Sequence, residues 1–121
     1  MPLRNGVDMI EIHRFKAALD RHKDRLLQRV FTALEIRDCG EDIRSLAVRF
    51  AAKEAVSKAL GTGIGRVSWH EIEITRLPSG EPMLHLHGEA ETLADELGLH
   101  EWALSLSHTE SLAIAFVTAA G

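Results

Sequence analysis

The residues best suited to chemistry lie in one segment, Arg49 to Gly63, where a carboxylate and two lysines precede a glycine-rich stretch. The apolar residues before Glu54 recur at helical spacing, which predicts one buried helix face. Glu54 falls on the same side of this helix as Ile43 and Phe50. Burying a carboxylate is costly unless a cation, a metal or hydrogen bonds offset its charge. Glu54 is therefore predicted to be a metal ligand, a catalytic group or half of an ion pair with Lys58, four residues later.

Asp8 is the second candidate carboxylate. It lies where a short apolar strand, residues 3–10, gives way to a helix that begins near Ile12. The ordinary explanation for such a residue is a helix cap. If the strand lies beside the long helix, however, Asp8 and Glu54 can share one Mg²⁺, which accepts one or two carboxylates and completes its coordination with water and phosphate oxygens.

The glycines at positions 61, 63 and 65 follow the predicted helix instead of preceding it. Nucleotide loops use the positive N-terminal end of a helix, so a phosphate at this opposite end needs added cations. The groups available to supply this positive charge are Arg49, Lys53, Lys58 and a metal on Glu54. The alternative is a simple helix stop, with Gly61 in the left-handed conformation.

Histidines offer weaker signals. His108 continues the inward-facing residues Leu104 and Leu106 of a predicted strand, which places its ring at the buried edge of the turn that follows. It is either a functional residue or a hydrogen-bonded histidine of the core. His85 and His87 alternate along another predicted strand, but two such ligands without a third are typical of a solvated face. Neither Ser57 nor Ser107 has a base at a diagnostic spacing and no nucleophile elbow is present, so the sequence does not indicate covalent catalysis.

The elements that must position these residues are mixed in order, which predicts an α+β fold in a single domain over residues 1–121, with a small antiparallel sheet and a long central helix. The basic helix that starts near Ile12 either continues to Val30 or is followed by a second short helix. Thr32 and Glu35 form a capping-box pattern for the next helix. The remaining predicted elements are a long helix (42–60), a hairpin (67–75 and 83–87), a helix (89–97) and two strands (102–107 and 112–118). The last strand is apolar on both faces, which suggests burial by other subunits.

Charge is distributed unevenly. The net charge is −4, yet residues 1–66 hold thirteen Lys/Arg against nine Asp/Glu, whereas residues 67–121 hold one against nine. The basic cluster between Arg14 and Arg29 favours an acidic partner. The overall acidity of the chain and the lack of a motif that reads nucleic-acid bases argue against binding of nucleic acid.

The cysteine count and the hydropathy of the chain indicate its cellular compartment. The single Cys39 excludes an intramolecular disulfide and a cysteine zinc site, which favours a reducing cytoplasm. No apolar run reaches the roughly 18 residues of a membrane span.

Three blocks, 6–14, 49–65 and 104–109, resemble the holo-(acyl-carrier-protein) synthases, the short phosphopantetheinyl transferases. Phe-Ala-Ala-Lys-Glu-Ala at 50–55 and Lys-Ala-Leu-Gly-Thr-Gly at 58–63 carry most of this resemblance. It implies transfer of the 4′-phosphopantetheine arm of coenzyme A to a serine of an apo acyl carrier protein, with release of adenosine 3′,5′-bisphosphate, by an enzyme that is typically a homotrimer with sites between subunits.

The resemblance also implies residue roles. Asp8 and Glu54 would hold Mg²⁺, and with Lys58, which would contact the pyrophosphate, they form the catalytic set. Arg49 and His108 would bind the 3′-phosphate region, and the basic helix would receive the carrier protein. The implied coenzyme-binding residues are Arg49, Lys53, Ser57, Lys58, Gly61, Thr62, Gly63, Pro82 and His108, and the implied carrier-binding residues are Arg14, Arg21 and Arg25.

Two positions depart from the family pattern. Arg4 precedes Asn5 and Gly6 where the family usually has an additional glycine, and Glu81 stands before Pro82 where the family often has a base. Two other functions remain open at this stage. One is a non-catalytic trimeric module that binds coenzyme A or a carrier protein, and the other is a Mg²⁺-dependent phosphohydrolase that uses the same two carboxylates.

Overall fold

The computed structural model describes residues 2–121; the predicted domain also includes Met1, which lies outside the described residues. The elements follow in the order β1 (Leu3–Glu11), α1 (Ile12–Val30), α2 (Ala33–Cys39), α3 (Ile43–Ala59), β2 (Ile72–Arg76), β3 (Pro82–Leu86), α4 (Gly88–Leu97), β4 (Glu101–His108) and β5 (Leu112–Ala120). The predicted α+β class with an antiparallel sheet and a long helix is confirmed.

The strands form two separate antiparallel units. One is a three-stranded sheet in the order β1-β5-β4, and the other is the hairpin β2-β3. Side chains alternate across β5: the small residues Ala113, Ala115 and Val117 are buried, whereas Leu112 and Phe116 on the other face are exposed. Helix α3 covers the buried face, which makes it the centre of the core.

Gly6 explains how closely β1 and α3 approach. It lies on the inner face of β1, and a Cβ atom at this position would overlap the carbonyl oxygen of Ala55 on α3. Because no other residue lacks a Cβ, the backbones can come this close only at a glycine. This contact brings the inner face of β1 directly against the helix that carries Glu54.

Most predicted boundaries hold, and the differences have local causes. The first strand runs to Glu11, so Asp8 lies inside β1 and the helix-cap alternative is wrong. Helix α1 continues to Val30, with a break at Lys23, whose φ of 36° is outside the helical range. The first strand of the hairpin begins at Ile72 instead of position 67 because Ser68 and Glu71 form a capping box around a 3₁₀ turn, Trp69–Glu71.

The helix termini follow the sequence signals. Thr32 and Glu35 form the predicted capping box of α2, and Asp42 caps α3 through the backbone N–H groups of Arg44 and Ser45. Gly98 ends α4 in the left-handed conformation. None of the helices in residues 2–121 is long and apolar enough to cross a membrane.

Candidate functional site

Asp8 and Glu54 come together between β1 and α3. Asp8 lies on the inner face of β1, on the side of Gly6, and Glu54 is half-buried on α3. Burial raises the pKa of Glu54, and the negative charge of Asp8 raises it further, while Lys58 opposes this shift. Such coupling requires the two carboxylates to be close in space. The structure therefore brings the two carboxylates near each other, and their role as metal ligands stays a prediction.

Lys58 lies beside these two carboxylates. It does not form the ion pair with Glu54 that its spacing of four residues suggested. Its ammonium donates to the carbonyl oxygen of Val7 at 3.0 Å and to Oδ1 of Asp8 at 3.2 Å. Neither Lys58 nor any other basic side chain in residues 2–121 forms an ion pair with Glu54. The Glu54–Lys58 pair is thus replaced by a Lys58–Asp8 pair, which leaves the Glu54 carboxylate available.

The donor set fits a hard divalent cation. Mg²⁺ is commonly bound by one or two carboxylates, with water and substrate phosphate oxygens in its other positions. In the described part of the chain no third histidine, cysteine or carboxylate joins Asp8 and Glu54. A half-buried carboxylate whose pKa is raised by a neighbouring carboxylate is one that a cation stabilises. We refer to Asp8, Glu54 and Lys58 below as the carboxylate site.

Lys53, which the resemblance assigned to coenzyme binding, lies in the protein interior. Its side chain is fully buried and its ammonium lies 2.7 Å from Oε1 of Glu35, which is also fully buried. It also donates to the carbonyl oxygen of Trp69 at 2.9 Å. Burial lowers the pKa of Lys53, and the Glu35 carboxylate opposes this effect. Lys53 is a core residue whose three donors are directed at protein groups.

Ser57 is likewise placed in the interior. It is fully buried, and its hydroxyl donates to the carbonyl oxygen of Glu54 at 2.7 Å within the same helix. A hydroxyl has one hydrogen to donate, so this hydrogen is committed to the helix backbone, and the contact of Ser57 with a coenzyme stays a prediction. The backbone carbonyl oxygen of Ser57 accepts hydrogen bonds from the backbone N–H groups of Thr62 and Gly63, each at 3.2 Å, which ties these two residues to the end of α3.

The glycine segment forms the exit from α3. Gly61 and Gly63 have φ values of 84° and 65°, so the predicted left-handed stop at Gly61 is confirmed. Thr62 donates its hydroxyl to the carbonyl oxygen of Gly63 at 2.7 Å. Arg4 donates from Nη1 to the carbonyl oxygen of Ala59 at 3.3 Å. This contact places a positive charge at the negative end of α3.

A second candidate site is a cleft of about 350 Å³ between α3, the hairpin and β4. We call it the arginine cleft. It brings together Arg49, Pro82 and His108, which were predicted to bind the coenzyme. His108 lies on the predicted face of β4 but is exposed instead of buried. The lining residues are Ser45, Val48, Arg49, Arg76, Gly80, Pro82, Leu104, Ser105, Leu106 and His108.

Arg76 is the residue of this cleft that the sequence interpretation missed. It ends strand β2, and its position in the cleft depends on how the hairpin packs against α3. One signal was present in the sequence: Arg76 is the only Lys or Arg among residues 67–121.

His85 and His87 do not form a shared metal site. Nε2 of His85 lies 2.9 Å from the hydroxyl of Thr75, and Nε2 of His87 lies 3.1 Å from Oε1 of Glu73. Although burial opposes ionisation, hydrogen bonds from Thr32 and His87 lower the pKa of Glu73. Each imidazole therefore has its own partner on the hairpin.

The basic residues of α1 are exposed, as the sequence predicted. Arg14 lies 3.7 Å from Glu11 and borders an apolar groove of about 370 Å³ with Phe15 and Phe50. Arg21 and Arg25 lie on either side of the break at Lys23. The surface can therefore offer both positive charge and an apolar groove to a partner.

Paired carboxylates with an adjoining lysine are suited to binding a divalent cation and phosphate groups, and comparison with known proteins gives the family of the chain. Residues 4–117 match the 4′-phosphopantetheinyl transferase superfamily, and the chain belongs to this family. The relatives it resembles are holo-(acyl-carrier-protein) synthases, so the resemblance that was noted in the sequence is confirmed.

Two of these relatives and one solved structure illustrate the similarity. The enzyme of Herpetosiphon aurantiacus is 47% identical over 126 residues, covering 98% of this chain and 99% of the relative. That of Moorella thermoacetica is 53% identical over 116 residues, covering 93% and 90%. The crystal structure of the Helicobacter pylori enzyme in complex with coenzyme A superposes with a TM-score of 0.88 at 33% identity, covering 96% of this chain and 99% of that one.

Proposed function

We propose that this protein transfers the 4′-phosphopantetheine group of coenzyme A to a serine of an apo acyl carrier protein. The observation that carries the proposal is the convergence of Asp8, Glu54 and Lys58 from β1 and α3, in a chain whose relatives are holo-(acyl-carrier-protein) synthases. In the reaction, the serine hydroxyl gives up its proton to solvent water, and its oxygen forms a bond to the phosphorus that carries pantetheine. The bond from that phosphorus to the oxygen bridging the pyrophosphate breaks, and adenosine 3′,5′-bisphosphate leaves.

Asp8 and Glu54 would hold Mg²⁺ in this reaction. When bound, the ion supplies positive charge that offsets the negative charge on the pyrophosphate oxygens. Lys58 adds a second positive charge at the mouth of the site, where its half-exposed ammonium is held by Val7 and Asp8. These groups act by positioning and by electrostatic stabilisation, which dominate phosphoryl transfer.

The carrier protein would dock on the exposed basic face of α1. Arg14, Arg21 and Arg25 point away from the core, and an acidic helix would meet complementary charge there. The apolar groove beside Arg14 would accept a side chain of the partner, since buried apolar anchors carry much of the affinity at protein interfaces.

Several copies of the chain would assemble through the outer face of the three-stranded sheet. Large apolar side chains are exposed there in the single chain, a pattern typical of an interface. We propose a homotrimer, as in the family, in which the carboxylate site of one subunit lies near the arginine cleft of another. The exposed residues are Leu3, Val7, Met9, Leu112, Ile114 and Phe116.

A reducing cytoplasm suits the one free thiol. Burial raises the pKa of Cys39 to about 11, so the thiol is protonated and unreactive at neutral pH. We place the enzyme in the cytoplasm, where its product would serve fatty acid biosynthesis.

Mass spectrometry of an apo acyl carrier protein incubated with the enzyme, coenzyme A and Mg²⁺ tests the function directly. We expect the carrier mass to rise by one phosphopantetheine group and adenosine 3′,5′-bisphosphate to appear in equal amount. Binding of coenzyme A without a mass change would instead indicate a non-catalytic module. Release of the nucleotide without a carrier would indicate a phosphohydrolase.

A further inference from the structure

Strand β2 has a neighbouring strand on one side only. It pairs with β3, and no other strand within residues 2–121 joins this hairpin. In an antiparallel pair, alternate residues turn their backbone N–H and C=O groups away from the partner strand. The residues of β2 that do so are Ile72, Ile74 and Arg76. Because Ile72 and Ile74 are buried, their backbone groups need other partners.

Two carboxylates of α2 supply acceptors along this unpaired edge of β2. The backbone N–H of Ile74 donates to Oε2 of Glu35 at 2.8 Å, and that of Arg76 donates to Oδ2 of Asp38 at 3.0 Å. Glu35 and Asp38 are three residues apart, so both lie on one face of α2. Helix α2 therefore holds β2 in the way that a neighbouring strand would.

The same edge of β2 holds Arg49. Its Nε donates to the carbonyl oxygen of Ile74 at 3.1 Å, and its Nη1 donates to that of Ser45 at 3.3 Å. Since a guanidinium group has five N–H donors, the other donors of Arg49 remain available for a ligand in the arginine cleft, which this residue lines. The direction of these free donors depends on the position of Ile74, and the Glu35 carboxylate anchors Ile74.

Both carboxylates are committed to contacts within the protein. Glu35 is fully buried, and its Oε1 accepts from the backbone N–H of Thr32 at 2.9 Å. The side chain of Asp38 is 13% exposed. Although burial opposes its ionisation, hydrogen bonds from Arg76 and Arg37 lower the pKa of Asp38. Apolar side chains would fill the same space without the cost of desolvating a charge, which points to a directional role for the two carboxylates.

We propose that Glu35 and Asp38 are positioning residues for the transfer reaction. By holding β2 against α3, they keep the carbonyl group of Ile74 where it aims the free donors of Arg49 into the arginine cleft. This inference rests on the proposed function and on the contact with the coenzyme that the resemblance gives to Arg49. Because a hydrogen bond to a ligand depends steeply on geometry, a loosened β2 should weaken coenzyme binding while the carboxylate site keeps its arrangement.

A pair of substitutions at Asp38 separates positioning from charge. Asp38→Ala and Asp38→Asn remove the same charge, but the asparagine oxygen can still accept from the backbone N–H of Arg76. We expect the KM for coenzyme A of Asp38→Ala to exceed that of Asp38→Asn by roughly three- to ten-fold, because one hydrogen bond is lost. The kcat and the KM for the carrier protein should be the same in both variants.

Glu35→Gln tests the second anchor. A glutamine has one acceptor oxygen, so it cannot accept from both Ile74 and Thr32 as Glu35 does. We expect its KM for coenzyme A to rise roughly ten-fold. Leu93→Ala is the matched control, because it destabilises the core by removing a buried leucine of α4, outside the arginine cleft, and should leave this KM unchanged. If Glu35→Gln behaves like the control, the carboxylate only stabilises the fold and the proposal fails.

An NMR signal of Arg49 reports the orientation of its side chain without any coenzyme. The proton–nitrogen signal of Nε, identified by its absence in Arg49→Lys, should shift in Asp38→Ala and in Glu35→Gln and stay in place in Leu93→Ala. The Asp38 variants decide the question if Glu35→Gln does not fold. Equal KM values for the two Asp38 variants, or an Arg49 signal that does not move in Asp38→Ala, would overturn the proposal.

Calorimetry with adenosine 3′,5′-bisphosphate separates this outcome from failure of the proposed function. Even if the protein transfers nothing, Asp38→Ala should bind this nucleotide more weakly than Asp38→Asn does. If transfer occurs but the two variants bind it equally, only the positioning role fails.

Discussion

At the scale of single residues, the proposed chemistry depends on Glu54, a carboxylate whose ionised form is unfavourable in the folded protein. Glu54 is partly buried beside Asp8, and both burial and the neighbouring charge raise its pKa. A carboxyl group whose pKa is higher in the folded than in the unfolded state stabilises folding when protonated, and this contribution is lost as the pH rises through the folded pKa. The folded protein therefore carries an electrostatic cost at neutral pH that a bound cation would offset.

We expect Glu54→Gln to abolish phosphopantetheine transfer while the protein remains folded. Without divalent cations its melting temperature should equal or exceed that of the wild type at neutral pH, because the desolvated charge is gone, and the difference should shrink as the pH falls. Added Mg²⁺ should raise the melting temperature of the wild type alone. Full transfer activity, or equal stabilisation of both proteins by Mg²⁺, would contradict the assignment of Glu54 as a ligand.

At the scale of elements, α3 presents two lysines with opposite roles. Lys53 and Lys58 are five residues apart, which separates them by about 140° around the helix. Lys53 points into the core toward Glu35 of α2 and the backbone before β2, whereas Lys58 points to β1. The buried pair joins α2, α3 and the hairpin by directional contacts in a helix that is otherwise lined by small residues.

We expect Lys53→Met to lower the free energy of unfolding by about 3–5 kcal/mol, because it leaves the Glu35 carboxylate buried without its partner. Lys58→Met, on the same helix, should cost less than about 1 kcal/mol, since its ion pair is half-exposed. Urea denaturation followed by circular dichroism measures both. The KM for coenzyme A of folded Lys53→Met should match the wild type; a large increase in KM with unchanged stability would restore Lys53 as a coenzyme ligand.

At the scale of the whole molecule, the two faces of the three-stranded sheet have different tasks. The inner face packs on α3, and the outer face exposes a row of large apolar residues on β1 and β5. We expect Phe116→Asp to convert the assembly to monomers, because a buried unpaired carboxylate at an interface is unfavourable. Sedimentation velocity measures this change. Thr92→Asp, on the exposed side of α4, is the control, and a wild-type monomer would rule out the interface.

The uneven distribution of charge is also a property of the whole molecule. We expect Arg21→Glu combined with Arg25→Glu to raise the KM for the carrier protein by at least about ten-fold and to leave the KM for coenzyme A unchanged, because opposite charges across an interface become like charges. The difference from wild type should shrink at high salt. Arg37→Glu, on α2, serves as the control. An equal effect of this control, or an effect on coenzyme A instead, would place the carrier protein elsewhere.

The sequence by itself determined the α+β class, most helix and strand positions, the two carboxylates and the uneven charge. These features depend on local signals such as periodicity, caps and turns, and on a family motif that spans adjacent residues. Only the tertiary structure decided which lysine of α3 faces the site, that Ser57 is buried, and that Arg76 joins Arg49 and His108 in one cleft. The orientation of a helix and the burial of its charges depend on which distant segments pack against each face, and neighbouring residues in the chain do not encode that choice.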